Sequence, residues 1–147
     1  IMAICRNERG LAILGVEAKV DEPFGPTIAE KKARATTGQL ERIAYLETQL
    51  GRRSPFGGEI RYQLLHRAVS ALLTAKAFHA PVAVMLVHSF SQESKWFQDF
   101  EAFCAELGCD QLAPGVYELH GIAGARLILG WCKGNAKYLS AELPSAY

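Results

Sequence analysis

Glu17-Ala18-Lys19 puts a carboxylate and an ammonium two positions apart, in a stretch whose apolar residues alternate as they do along a β-strand. On a pleated strand such positions share one face, about 6–7 Å apart. That pairing suits phosphodiester hydrolysis. A carboxylate can hold a hard divalent cation such as Mg2+ or Mn2+, which keeps several waters and binds phosphate directly. An ammonium beside it can orient the attacking water and offset the charge that develops. The Ala18 carbonyl offers a further oxygen ligand, so Glu17 and Ala18 are the candidate metal ligands. The spacing alone is weak, because it recurs at Glu30/Lys32 and Glu93/Lys95. Those pairs fall in a predicted helix and at a helix start, where i and i+2 do not share a face. On spacing alone, a solvated ion pair at a strand end, worth about 0–1 kcal/mol, is the better account even of Glu17 and Lys19.

The elements that would position the pair follow from periodicity. Residues 1–6 and 11–20 read as two strands joined by turn residues Asn7, Glu8, Arg9 and Gly10. In the second strand the even positions (Ala12, Leu14, Val16, Ala18, Val20) are apolar throughout and predict the core face. The odd face turns polar at Glu17, Lys19 and Asp21. Pro23-Phe24-Gly25-Pro26 breaks the strand, and Thr27 with Glu30 has capping-box spacing. Helical spacing covers 39–50 with a stop at Gly51, and 59–78 with a buried stripe of Ile60, Leu64, Ala68, Ala71, Leu72 and Ala75. Residues 82–87 predict a strand buried on both faces and parallel to its neighbour. Trp96, Phe100, Phe103, Cys104 and Leu107 outline a helix ended by Gly108, with the aromatics as core. A second hairpin is expected from 116–122 and 126–133, followed by a surface tail from Gly134. This succession is α/β.

Composition narrows the class. The 147 residues suffice for a single domain spanning 1–147, and 50% hydrophobic with 21% charged is ordinary globular usage. A net charge of +1 announces no nucleic-acid binder, although a nuclease need only be basic locally. Cys5, Cys104, Cys109 and Cys132 form no C-x-x-C, which disfavours structural zinc; they read as reduced thiols of a cytoplasmic protein. No apolar run approaches the ~20 residues of a membrane span. Phosphate-loop, dinucleotide-binding and serine-hydrolase motifs do not occur. The chain opens at Ile1 inside an apolar run, so an upstream extension or a trimmed domain is expected.

A hairpin, an E-x-K at the end of its second strand and then a helix is the motif order of the PD-(D/E)XK nuclease superfamily. VEAKVDEPFGP (16–26), RYQLLHR (61–67), VMLVHSF (84–90) and the Gly130-Trp131 pair together resemble a family of uncharacterised bacterial proteins assigned to it. The resemblance implies a restriction-endonuclease-like fold, a mixed central sheet flanked by helices, and Mg2+- or Mn2+-dependent cleavage of nucleic acid, DNA rather than RNA. It leaves a homodimer open. Carried over, Glu17 is the acidic metal ligand and Lys19 the catalytic lysine. The family pattern also asks for an aspartate at the head of the preceding strand, and no residue from Ile1 onward supplies it. Asp21 and Glu22 follow the motif and do not stand in for it.

Gln63 is the third catalytic candidate, since several branches of the superfamily put a glutamine or acid on the helix after the E-x-K strand. It shares a polar stripe with Arg67, Ser70 and Thr74, which the wet side of a surface helix explains slightly better. Tyr62 and His66 flank that stripe. His88, at a strand end where α/β sheets line their crevices, is a weaker candidate than a hydrogen-bonded structural histidine. Arg52, Arg53, Arg61 and Arg67 are candidates for contact with a nucleic-acid backbone. Two other readings stand beside the nuclease. One is a nuclease-like scaffold without catalysis that binds nucleic acid or protein. The other is an enzyme for a small phosphorylated substrate, with residues 25–30 as an anion-binding helix start and a deep pocket there.

Overall fold

A computed structural model describes residues 1–8, 10–122 and 124–140. Arg9 of the expected first turn, Ala123 of the expected second hairpin and the end of the tail lie outside the described residues.

Strands β1 (Met2–Asn7) and β2 (Gly10–Lys19) form the antiparallel hairpin, in register from Met2↔Gly15 to Asn7↔Gly10. Gly10, at φ +121°, takes a backbone conformation that side chains rarely adopt. Strand β3 (Val82–Ser89) lies parallel to β2, and the last strand (Arg126–Lys133), β6, lies parallel to β3. Between them in sequence come β4 (Asp110–Ala113) and β5 (Val116–Leu119), which extend the sheet antiparallel in the order β1-β2-β3-β6-β5-β4. The protein is therefore α/β, with a mixed six-stranded sheet and flanking helices.

A parallel β2–β3 pair needs a crossover, and three helices supply it. They are α1 (Ile28–Ala33), α2 (Thr37–Gln49) and α3 (Tyr62–Ala77). The capping box of Thr27 and Glu30 starts α1. A second box, Thr36 with Gln39, starts α2 two residues before the expected helix. Between α1 and α2 the chain breaks at Arg34, so Thr27 opens only a short helix. Helix α4 (Phe97–Leu107) precedes β4 and ends at Gly108 in the left-handed region, as expected.

Helix α3 packs on β2, β3 and β6 against the face carrying Ile13, Ala83, Met85, Val87, Leu127 and Leu129, all essentially inaccessible. Gly15 permits this approach, because a Cβ there would lie 3.4 Å from the Ala71 methyl. Two expectations are corrected here. The odd positions of β2, not the even ones, face the core helix: Ile13 and Lys19 are buried, whereas Leu14 and Val16 are half-buried and Ala18 is exposed. Strand β3 likewise alternates buried with half-buried residues, so only one of its faces is closed. Parallel pairing was read correctly; two-sided burial was not. The exposed strand β4 was missed, since Asp-Gln-Leu-Ala carries no apolar alternation and its pairing with β5 is irregular.

Candidate functional site at the end of strand β2

Because the face of β2 bearing Glu17 and Lys19 is the one that α3 covers, both side chains emerge under the first turns of that helix. Gln63 and Arg67, one helical turn apart, meet them there. Gln63 Oε1 accepts a hydrogen bond from Lys19 Nζ at 3.1 Å, and its Nε2 donates to Glu17 Oε1. Only this amide orientation works, because an ammonium can only donate and an ionised carboxylate can only accept. Arg67 Nε lies 2.7 Å from Glu17 Oε2, and Lys19 Nζ lies 3.5 Å from Oε1. Lys19 also donates to the Pro23 carbonyl at 3.2 Å and sits 5.3 Å from the centre of the buried Phe24 ring. The Pro23-Phe24 break therefore closes the back of the notch.

The side chains of Lys19 and Glu17 keep only 7% and 11% of their surface, whereas Arg67 keeps 46%. Access is thus from the Arg67 side. Toward that opening the surface continues with Tyr62 stacked on His66 at 6.0 Å, Lys31 over the Tyr62 ring at 4.4 Å, and Arg42 Nη2 at 3.1 Å from His66 Nε2. Partial burial, followed by the neighbouring Arg42, Arg67 and Lys31 charges, lowers the His66 pKa from its ordinary value. The rim is cationic and carries flat rings.

Ser89 belongs to the same neighbourhood. It pairs in register with Lys19, is fully buried, and its Oγ has no hydrogen-bond partner among the described residues. The sequence gives no sign of this role beyond its place after His88. His88 itself pairs with Ala18 and Cys132 on the opposite face and lies against the Phe90 ring, tilted by 42° at 4.4 Å, so it is not part of the notch.

The other expected residues separate. Arg52 binds the Glu106 carboxylate at 3.3 Å and the Glu106, Ser54 and Pro55 carbonyls. Arg61 Nε lies 2.8 Å from Asp99 Oδ2, and its Nη1 donates to the Gly25 carbonyl. Both therefore tie loops to α4, while Arg53 is simply exposed. Asp21 pairs with Lys95, and Glu22 accepts from the Val20 amide. The expected anion site at the start of α1 is corrected: the amides of Ile28, Ala29 and Glu30 already donate to Ile60, Gly58 and Thr27.

Mg2+ takes oxygen ligands and is commonly held by one or two carboxylates, with waters completing its shell. Glu17, the Gln63 amide oxygen and the Ala18 carbonyl are of the right type. Among the described residues, though, no group of three or more His, Cys, Asp or Glu gathers. Glu17 is the one carboxylate in the notch among the described residues, and a cation reaching it must displace Arg67 or Gln63.

A model for a domain of unknown function, DUF6946, matches residues 1–136. The chain belongs to the DUF6946 family. That match spans the hairpin, the notch and every strand, so the arrangement just described falls within the DUF6946 domain. No curated protein and no solved structure matches the chain. No helix among the described residues is long and apolar enough to cross a membrane.

Proposed function

We propose that this DUF6946 domain is a nuclease of the PD-(D/E)XK type with a restriction-endonuclease-like fold, and that the Glu17–Lys19–Gln63 notch hydrolyses phosphodiester bonds of nucleic acid, DNA foremost. One observation carries the reading. A carboxylate and an ammonium at the end of β2 meet an amide from the distant helix α3, beside a cationic rim. In this reading Lys19, held by Pro23 and Gln63, orients the attacking water and donates to the phosphoryl oxygen. Gln63 keeps Lys19 and Glu17 in register, and Arg67 swings from Glu17 to the incoming phosphate. The chemistry a Mg2+ or Mn2+ ion held by Glu17 supplies is charge neutralisation at the phosphoryl group and a more acidic water.

The resemblance asks for an aspartate at the head of β1, and the β1–β2 register supports a position beside Glu17 for it. Ile1 and Val16 exchange backbone hydrogen bonds at 2.8 and 3.0 Å, so a residue ahead of Ile1 in the same strand pairs with Glu17. Directly paired antiparallel residues share a face. A carboxylate there shares the notch.

The test is titration with Mn2+ of the wild-type chain, of the chain extended by one aspartate or one asparagine ahead of Ile1, and of Glu17→Ala and Lys19→Ala, with cleavage of DNA and RNA scored together. The aspartate extension is expected to bind the metal most tightly, and Glu17→Ala to lose it. Unchanged metal affinity in Glu17→Ala overturns the reading.

A second reading is favoured by the full engagement of Glu17 by Arg67 and Gln63. It is a nuclease-like scaffold that binds nucleic acid through its cationic rim without cutting it. Retained nucleic-acid binding with no metal-dependent cleavage, even with the aspartate in place, selects it.

A further inference from the structure

Helix α4 ends in a Schellman arrangement that brings two cysteines together. The Cys109 amide donates to the Cys104 carbonyl at 3.1 Å and the Gly108 amide to the Ala105 carbonyl at 3.0 Å, with Gly108 at φ +73°. In this motif the side chains at the third position before the helix cap and the second after it touch each other. Here both positions carry thiols, Cys104 at the first and Cys109 at the second.

The two are not equivalent. Cys104 is fully buried against the core, whereas Cys109 is part-exposed at the threshold of β4. Hydrogen bonding from the neighbouring Cys104 thiol lowers the Cys109 pKa, and the same pairing, together with burial, raises that of Cys104. The pair is thus a nucleophile at the surface backed by a proton-bearing thiol beneath it. The proposed phosphodiester chemistry uses neither.

We propose that Cys104 and Cys109 form a reversible dithiol–disulfide pair that is oxidised by hydroperoxides. The Cys109 thiolate attacks the terminal peroxide oxygen and the O–O bond breaks. Alkoxide or hydroxide leaves and takes up a proton, giving a sulfenic acid at Cys109. The Cys104 sulfur, giving up its proton, then attacks the Cys109 sulfur and water leaves. In sum, two thiols and one hydroperoxide give a disulfide, an alcohol or water, and a further water. A dithiol reductant reverses it. The bond requires the two Cα atoms to lie within about 7 Å, which the motif provides.

The test uses the whole chain, reduced and then exposed to stoichiometric hydrogen peroxide. Native-state alkylation and mass spectrometry of the fragments follow. The expected product is a monomer lighter by about 2 Da, with the loss mapped to the fragment holding both residues and reversed by dithiothreitol. Cys109→Ser abolishes it. Cys104→Ala instead accumulates a dimedone-trapped sulfenic acid at Cys109. The exposed Cys5 and Cys132 are internal controls and are expected to react about tenfold more slowly or worse. Should Cys104→Ala fail to fold, the competition between Cys109 and the two control thiols in the wild-type chain decides the matter alone. Oxidation at Cys5 or Cys132 while Cys104 and Cys109 stay alkylatable after unfolding overturns the proposal. So does a disulfide that survives Cys109→Ser.

Discussion

The Nε of Arg67 lies 2.7 Å from Oε2 of Glu17, so the acid at the end of β2 is already neutralised by the helix above it. Any cation that approaches Glu17 competes with this guanidinium, and any phosphate that approaches Arg67 competes with the carboxylate. In the proposed function the pair therefore acts as a latch between two ligands of opposite sign. Arg67→Ala is expected to tighten Mn2+ binding several-fold and to weaken nucleic-acid binding. Calorimetric titration with each ligand reads both. Movement of the two affinities in the same direction refutes the latch.

Lys19 is nearly inaccessible and donates to both the Pro23 carbonyl and Gln63 Oε1. Lys19→Met keeps the stem and removes the donors, leaving two acceptors and the Glu17 charge poorly matched. A loss of about 1–3 kcal/mol in urea unfolding is expected. An unchanged midpoint would mean that water replaces the ammonium freely.

Ser89 carries the opposite expectation. Its buried hydroxyl has no partner among the described residues, a condition that costs roughly 1–3 kcal/mol and is removed by Ser89→Ala. The variant is expected to melt higher than the wild type. If Ser89 serves ligand at the Lys19 end of the notch, cleavage or binding falls in the same variant. Gain of stability with loss of function assigns it to the site; gain of stability alone leaves it a packing defect.

His66 governs an acid limb. Arg42 can only donate, so the ring nitrogen it meets, Nε2, must be an acceptor and the imidazole neutral. Burial first, and then the Arg42, Arg67 and Lys31 charges, depress its pKa below the ordinary 6.5. The unfolded chain therefore binds a proton that the folded chain refuses, and stability rises with pH across that window. Above about pH 6.5 the group exerts no penalty; as pH falls from 6.5 toward the folded value the penalty grows. His66→Gln is expected to flatten unfolding midpoints between pH 7 and pH 5 (about the range in which histidine titrates). An unaltered slope would show that other groups set it.

Local spacing carried much of this arrangement and failed at definite points. Glu17 with Lys19, and Gln63 with Arg67, could each be paired from the sequence, because period-2 and period-3.6 geometry decide which side chains share a face. Only the superfamily resemblance set the helix pair against the strand pair. The hairpin, the Thr27 and Gly51 helix boundaries and the parallel setting of β3 were legible for similar reasons. What spacing could not reveal was which face of β2 a distant helix would choose. An unbroken row of small apolar residues on the even side looked more core-like than Ile13 and Gly15, yet it is the flat surface at Gly15 that accepts Ala71. The ion pairs of Arg52 with Glu106 and of Arg61 with Asp99 could not be foreseen, because those partners lie on α4, far along the chain. Ser89 gave no signal, since an orphaned hydroxyl exists only once its surroundings have folded.

The alternating closure of β3 has a consequence for how this protein tolerates change. Ala83, Met85 and Val87 are sealed beneath α3, while Val84 and Leu86 between them are only half covered. Polar replacements along this one strand should therefore be accepted and rejected in turn: threonine is borne at 84 and 86, and is ruinous at 85 and 87. A saturation library scored for soluble yield would trace that sawtooth residue by residue.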